Sequence, residues 1–164
     1  MLKITKVFNY ISKIRCMKFS ISSKNEELQI GFIGLGNMGY SMSKNLILSK
    51  LSAKPVLVYD IDRNKSNSLE SIGAKAVEDI STITKQCNVM VTMLPATQHV
   101  YDIIHGEHGI LQNAKPGTLL IDSSTIDPLV SRKLHDSLNT KSIYMIDAPV
   151  SGGIEALSLL IIYQ

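Results

Sequence analysis

Apolar residues along the chain follow two rhythms. Short, nearly unbroken apolar runs lie at residues 30–33, 55–59, 88–94, 118–122 and 142–147, each bounded by Gly, Pro, Asn, Asp or Ser. Runs of that length, without polar alternation, predict strands buried on both faces of a parallel sheet. A weaker run at 74–77 predicts one more. Between the runs, apolar positions recur at helical spacing: Met38, Met42 and Leu46, then Val100, Tyr101 and Ile104, expected to face inward, then Val130, Leu134 and Leu138. Helices are therefore predicted from about residue 37 to 50, 65 to 72, 80 to 86 and 97 to 104, and from Pro128 onward, where Asp127 is placed as N-cap. Strands alternating with helices predict βαβ units, hence an α/β fold with a doubly wound, mostly parallel sheet.

The first strand runs into Gly34-Leu35-Gly36-Asn37-Met38-Gly39, three glycines at G-x-G-x-x-G spacing that open a helix. Gly34 permits the tight turn, Gly36 leaves room for phosphate to approach the backbone, and Gly39 lets the helix lie close to the sheet. The helix N-terminus then offers unpaired N–H groups to an anion. Glycine-rich turns are common, so the context matters. The next strand ends in Asp60, about 20 residues on, where a carboxylate accepts hydrogen bonds from ribose hydroxyls. Strand, turn, helix, strand and acid in that order predict a Rossmann-type dinucleotide site. Asp60 disfavours a 2′-phosphate and so favours NAD, although Arg63 could receive one. Asp62 and Asn64 are read as turn and helix-start residues.

Length and charge limit the alternatives. The 164 residues suit one domain, with a net charge of +3. Lys3, Lys6, Lys13, Arg15, Lys18 and Lys24 all precede the first acid, Glu26, which leaves the rest near neutral and makes nucleic acid a poor partner. Residues 1–28 combine these cations with hydroxyl and scattered apolar residues, the composition of a mitochondrial targeting segment, with a solvated basic tail and a cytoplasmic location as the alternative. Residues 29–164 would form the binding domain. Two cysteines, Cys16 and Cys87, cannot build a disulfide framework. No apolar run is long enough to span a bilayer, so no membrane partner is expected. His105 and His108 flank Glu107 in a Gly-bounded loop, but no further ligand set accompanies them, and no metal is assigned.

In an open parallel sheet, ligands gather beyond the carboxyl ends of the strands. Those ends supply the glycine turn, Asp60, Leu94-Pro95, Ser123-Ser124-Thr125 and Ser151-Gly152-Gly153. Asp122 and Asp147 also end strands, where a structural cap is the better reading than an acid and base pair. Ser151 is not in a G-x-S-x-G elbow, which argues against a hydrolase nucleophile.

The motifs Phe32-Ile33-Gly34-Leu35-Gly36-Asn37-Met38-Gly39, Met93-Leu94-Pro95, Ile121-Asp122-Ser123-Ser124-Thr125 and Asp147-Ala148-Pro149-Val150-Ser151-Gly152-Gly153, in this order, closely resemble the 3-hydroxyisobutyrate dehydrogenase family of β-hydroxyacid dehydrogenases. The resemblance implies NAD-dependent oxidation of 3-hydroxyisobutyrate to methylmalonate semialdehyde in the mitochondrial matrix, a step of valine breakdown. Carried over by residue, Gly34, Leu35, Gly36, Asn37, Met38, Gly39 and Asp60 would hold the adenosine half of NAD. Leu94 and Pro95 would line its path, Thr125 would approach the nicotinamide, and Ser151, Gly152 and Gly153 would bind the carboxylate of a small hydroxy acid. His99 stands where mitochondrial relatives usually carry an asparagine at the cofactor.

The family continues into a helix carrying the catalytic lysine and into an all-helical second domain, which the resemblance places beyond Gln164. No lysine follows Lys141, so no catalytic residue is assigned, and little turnover is expected of this polypeptide alone. The tail after Gly153 reads as a shortened seventh strand. Oligomer formation by full-length relatives is left open. Rival readings are a tartronate or succinic semialdehyde reductase and a non-catalytic NAD-binding or partner-binding module.

Overall fold

The computed structural model describes residues 28–150. The targeting segment, Ser151, Gly152, Gly153 and the seventh strand lie outside these residues, apart from Leu28. Elements alternate as the apolar pattern predicts: β1 (Ile30–Ile33), α1 (Asn37–Leu48), β2 (Leu57–Tyr59), α2 (Arg63–Ser68), β3 (Lys75–Ala76), α3 (Ile80–Gln86), β4 (Val89–Thr92), α4 (Thr97–His105), α5 (Ile110–Asn113), β5 (Leu119–Asp122), α6 (Pro128–Asn139) and β6 (Tyr144–Asp147). The six strands form one sheet in the order β3-β2-β1-β4-β5-β6, and every neighbouring pair is parallel. This is the Rossmann-type order, and its direction reverses between β1 and β4. All carboxyl ends therefore lie along one edge.

The pleat sorts the strand residues into two cores. Ile30, Phe32, Val58, Val91 and Ile121 face one side, where Met42 and Leu46 of α1 cover them. Ile33, Leu57, Met90 and Leu120 face the other, against Ile83 of α3, Val100 and Ile104 of α4, and Leu134 and Leu138 of α6. Tyr101, expected to face inward with Val100 and Ile104, is instead exposed, because one step along the helix turns it off the buried stripe, and its ring stacks on His105. Full burial of an Ile, Leu, Val, Met or Phe side chain contributes roughly 1.5–3 kcal/mol, so both layers are needed to hold the sheet.

Helix starts agree with the sequence. The Asp62 carboxylate accepts from Asn64 N, and that of Asp127 accepts from Leu129 N and Val130 N, with Pro128 opening α6. The predicted helix at 65–72 is instead α2 followed by a 3-10 turn at Glu70–Ile72. The hydroxyls of Ser66, Ser68 and Ser71 bond back to the carbonyls of Arg63, Lys65 and Ser68. Such local bonds compete with the regular helical ladder. The segment also buries little apolar surface beyond Leu69. The single turn of α5 is too short to show a period.

Candidate dinucleotide site

The glycine turn leaves β1 and enters α1 at the point of reversal. Gly34 has φ +93°, and a Cβ there would lie 2.3 Å from Met93 O, so the turn is pressed against the end of β4. A Cβ on Gly39 would lie 2.0 Å from Gly34 O, which seats the helix directly on the turn. Gly36 differs: nothing lies within 4 Å of its Cβ position. It is the N-cap of α1, with no side-chain cap and no acid in the first turn. The first helical bond runs from Tyr40 N to Gly36 O, so the N–H groups of Asn37, Met38 and Gly39 precede it. An open approach and unpaired donors at a helix N-terminus suit a pyrophosphate.

Asp60 is nearly enclosed, its side chain 9% exposed. Its Oδ2 accepts from Leu35 N at 2.6 Å and its Oδ1 from Asp62 N at 2.8 Å. Each carboxylate oxygen keeps capacity for another donor, such as a ribose hydroxyl. Lys65 Nζ lies 3.9 Å from both Asp60 Oδ1 and Asp62 Oδ2. Arg63 is directed elsewhere, to Glu78 at 3.4 Å.

A cavity of about 530 Å³ unites these parts, a volume usual for cofactor sites. Gly34, Gly36, Asn37, Met38, Gly39, Asp60, Leu94 and Pro95, all anticipated from the sequence, line it. Leu35 turns its side chain into the core and offers only the N–H held by Asp60. Thr125 is exposed and lies outside the lining. Sequence reasoning did not single out Ile61, Asp62, Lys65, Met93, Asp102 or Ile103 as lining residues. Two signals were available in the sequence: Ile61 is an apolar residue between two acids, and Asp102 and Ile103 follow His99, another lining residue, at helical spacing; the structure leaves Ile61 exposed.

Behind the Leu94-Pro95 wall lies a buried polar cluster. Asp122, 0% exposed, accepts on Oδ1 from Thr92 Oγ1 at 2.8 Å, Ser124 N at 3.1 Å and Ser124 Oγ at 2.6 Å. Burial pushes its carboxyl above the ordinary range; the Ser124 and Thr92 bonds oppose that rise, and the charge of Asp147 adds to it. Asp147 is its Cα partner across β5 and β6 and is exposed. The pair does not form an acid and base couple facing the cavity, since neither lines it. Among the described residues no group of three or more His, Cys, Asp or Glu could hold a metal ion, and no helix is long and apolar enough to cross a membrane.

Comparison with known proteins agrees with this geometry. The family model described as the NAD binding domain of 6-phosphogluconate dehydrogenase matches residues 29–158. A probable mitochondrial 3-hydroxyisobutyrate dehydrogenase of Dictyostelium discoideum is 42% identical over 131 residues, covering 80% of this chain and 40% of that protein. The mitochondrial 3-hydroxyisobutyrate dehydrogenase of Homo sapiens is 38% identical over 137 residues, covering 84% and 39%. The solved 3-hydroxyisobutyrate dehydrogenase of Mycobacterium tuberculosis with L-serine superposes with TM-score 0.70 at 32% identity, covering 79% of this chain and 43% of that one. A structure described as Psf3 in complex with NADP+ and 2-OPP gives TM-score 0.72 at 34% identity, covering 79% and 45%. The chain thus spans about 40% of the length of the curated relatives it matches.

Proposed function

We propose, since the chain belongs to the family of NAD-binding domains of 6-phosphogluconate dehydrogenase type and to the N-terminal part of the 3-hydroxyisobutyrate dehydrogenase family, that it holds NAD for oxidation of 3-hydroxyisobutyrate to methylmalonate semialdehyde, a step of valine breakdown. The observation that carries this reading is the single cavity joining the open Gly36 turn, Asp60 and the Leu94-Pro95 wall. NAD, when bound, supplies the acceptor for the hydride leaving the hydroxyl-bearing carbon.

The chain's own residues have separate tasks. The first-turn N–H groups of α1 bind the pyrophosphate, and Asp60 accepts from the ribose. Leu94 and Pro95 keep water from the nicotinamide half. Thr125 approaches that half, while Ser151, Gly152 and Gly153 receive the substrate carboxylate. The carboxylates of Asp60 and Asp62 repel a 2′-phosphate, and Arg63 is turned to Glu78, which supports NAD over NADP. Residues 1–28 direct the chain to mitochondria and residues 29–164 form the domain. In support, the family match begins at residue 29, and the Dictyostelium and human relatives are described as mitochondrial.

Calorimetric titration of the full chain with NAD and NADP tests the cofactor reading, with NAD expected to bind more tightly. NADH formation is then followed with 3-hydroxyisobutyrate and with L-serine, since a Pseudomonas aeruginosa relative, 38% identical over 125 residues, is described as an NAD-dependent L-serine dehydrogenase. Higher turnover of L-serine would reassign the substrate. NAD binding without turnover of either acid would support the cofactor reading and remove 3-hydroxyisobutyrate oxidation by this polypeptide alone. Failure to bind NAD would remove the proposal. A fusion of residues 1–28 to a fluorescent protein tests the location, and a purely cytosolic signal would refute it.

A further inference from the structure

The buried cluster behind the cavity links the two strands that follow the point of reversal. Thr92 and Asp122 end β4 and β5 as Cα partners. Met93 N still bonds to Ile33 O at 3.0 Å, the last sheet-like bond on that strand. Leu94 N is the next amide, and it donates to Ser124 Oγ at 2.9 Å. Pro95 has no N–H to offer. Ser124 Oγ in turn donates to Asp122 Oδ1 at 2.6 Å, where Thr92 Oγ1 also converges at 2.8 Å. The attachment of the Leu94-Pro95 segment thus passes through one serine hydroxyl to one carboxyl oxygen.

A strand-end cap does not need this arrangement. Full burial of a carboxyl is costly unless it is bonded, and Oδ2 of Asp122 has no partner among the described residues. All three donors are gathered on Oδ1, the oxygen tied to the cavity wall. In a fold of two mononucleotide-binding halves, Asp60 at the end of β2 serves the adenosine half, whereas Leu94, following β4, faces the other half. We propose that Asp122, acting through Ser124, is a positioning residue for the nicotinamide half of the cofactor. It sets the Leu94-Pro95 wall; Leu94 Cδ2 also lies against Gly34, but the glycine turn and the adenosine half are braced separately, by Asp60 through Leu35 N. This inference rests on the NAD-binding reading.

The test is calorimetric titration of the full 164-residue chain with NAD and with ADP-ribose, which lacks the nicotinamide. Wild type should bind NAD more tightly than ADP-ribose. Ser124→Ala should weaken NAD about tenfold, the scale of one lost hydrogen bond, and leave ADP-ribose unchanged. Retained ADP-ribose binding also reports that the variant is folded. Ser124→Thr keeps the hydroxyl and should restore NAD affinity. Asp122→Asn keeps the accepting oxygen and should resemble wild type, whereas Asp122→Ala should resemble Ser124→Ala. Equal losses for both ligands, or no loss for either, would overturn the positioning role. So would wild-type affinities that do not differ. A wild type that binds neither ligand would instead overturn the NAD reading and this inference with it.

Discussion

The backbone N–H of Leu35 donates to Oδ2 of Asp60 at 2.6 Å, across 25 residues of sequence. The acid proposed to meet the ribose is therefore also the brace that holds the glycine turn against β2. Its Oδ1 is engaged as well, by Asp62 N.

Asp60→Ala should therefore do more than weaken NAD. With both backbone donors left without their acceptor, it should cost about 1–3 kcal/mol of stability in the absence of any nucleotide. The ion pair with Lys65, at 3.9 Å and partly exposed, adds little to that figure. Urea unfolding without NAD provides the check, and an unchanged midpoint would show that Asp60 does not brace the turn.

The glycines should separate binding from folding. Gly36→Ala adds a methyl group where nothing lies within 4 Å, so stability should stay within about 0.5 kcal/mol. NAD affinity should still fall by at least about tenfold, because the methyl group occupies the phosphate approach. Gly39→Ala forces a Cβ to 2.0 Å from Gly34 O. It should cost about 2–4 kcal/mol, at the upper end of point-substitution effects. Paired unfolding and NAD titrations test the contrast; equal stability losses in the two variants would contradict it.

Cys87 should be inert in the folded protein. Burial leaves it 3% exposed and pushes its thiol up to about 12, and the thiolate is the reactive form. In a Cys16→Ser background, a disulfide reagent at pH 8 should label Cys87 only as urea unfolds the chain. Rapid labelling under native conditions would contradict its placement between α3 and the sheet.

Asp122 should give the stability a defined dependence on pH. Burial raises its native carboxyl above the ordinary 3.8, against the opposing bonds from Ser124 and Thr92 and with the charge of Asp147 adding to the rise. Above 3.8 the unfolded chain releases a proton that the native state keeps. The contribution of this group to stability therefore falls as pH climbs from 3.8 to the raised native value, then levels off. Asp122→Asn cannot ionise, so its stability relative to wild type should increase across that window. Urea unfolding of both proteins from pH 4 to 8 is the measurement, and a constant difference would rule out the raised carboxyl.

The strand and helix order, the glycine turn, Asp60 and the Leu94-Pro95 segment are legible in the sequence. Apolar runs such as Val89-Met90-Val91 encode burial on two faces, and parallel strands must bring their carboxyl ends to one edge. Local chemistry was equally readable at Asp127-Pro128, where cap and first helical residue are neighbours. The sequence by itself determined which segments are buried and which motifs share an edge. Only the tertiary structure decided that Leu35 bonds to Asp60, that Arg63 turns to Glu78, and that Ser124 ties Leu94 to Asp122. The physical reason is range. Periodicity records how each residue meets solvent, whereas a hydrogen bond between groups 25 or 30 positions apart depends on ångström-scale packing of separate elements, which leaves no local pattern.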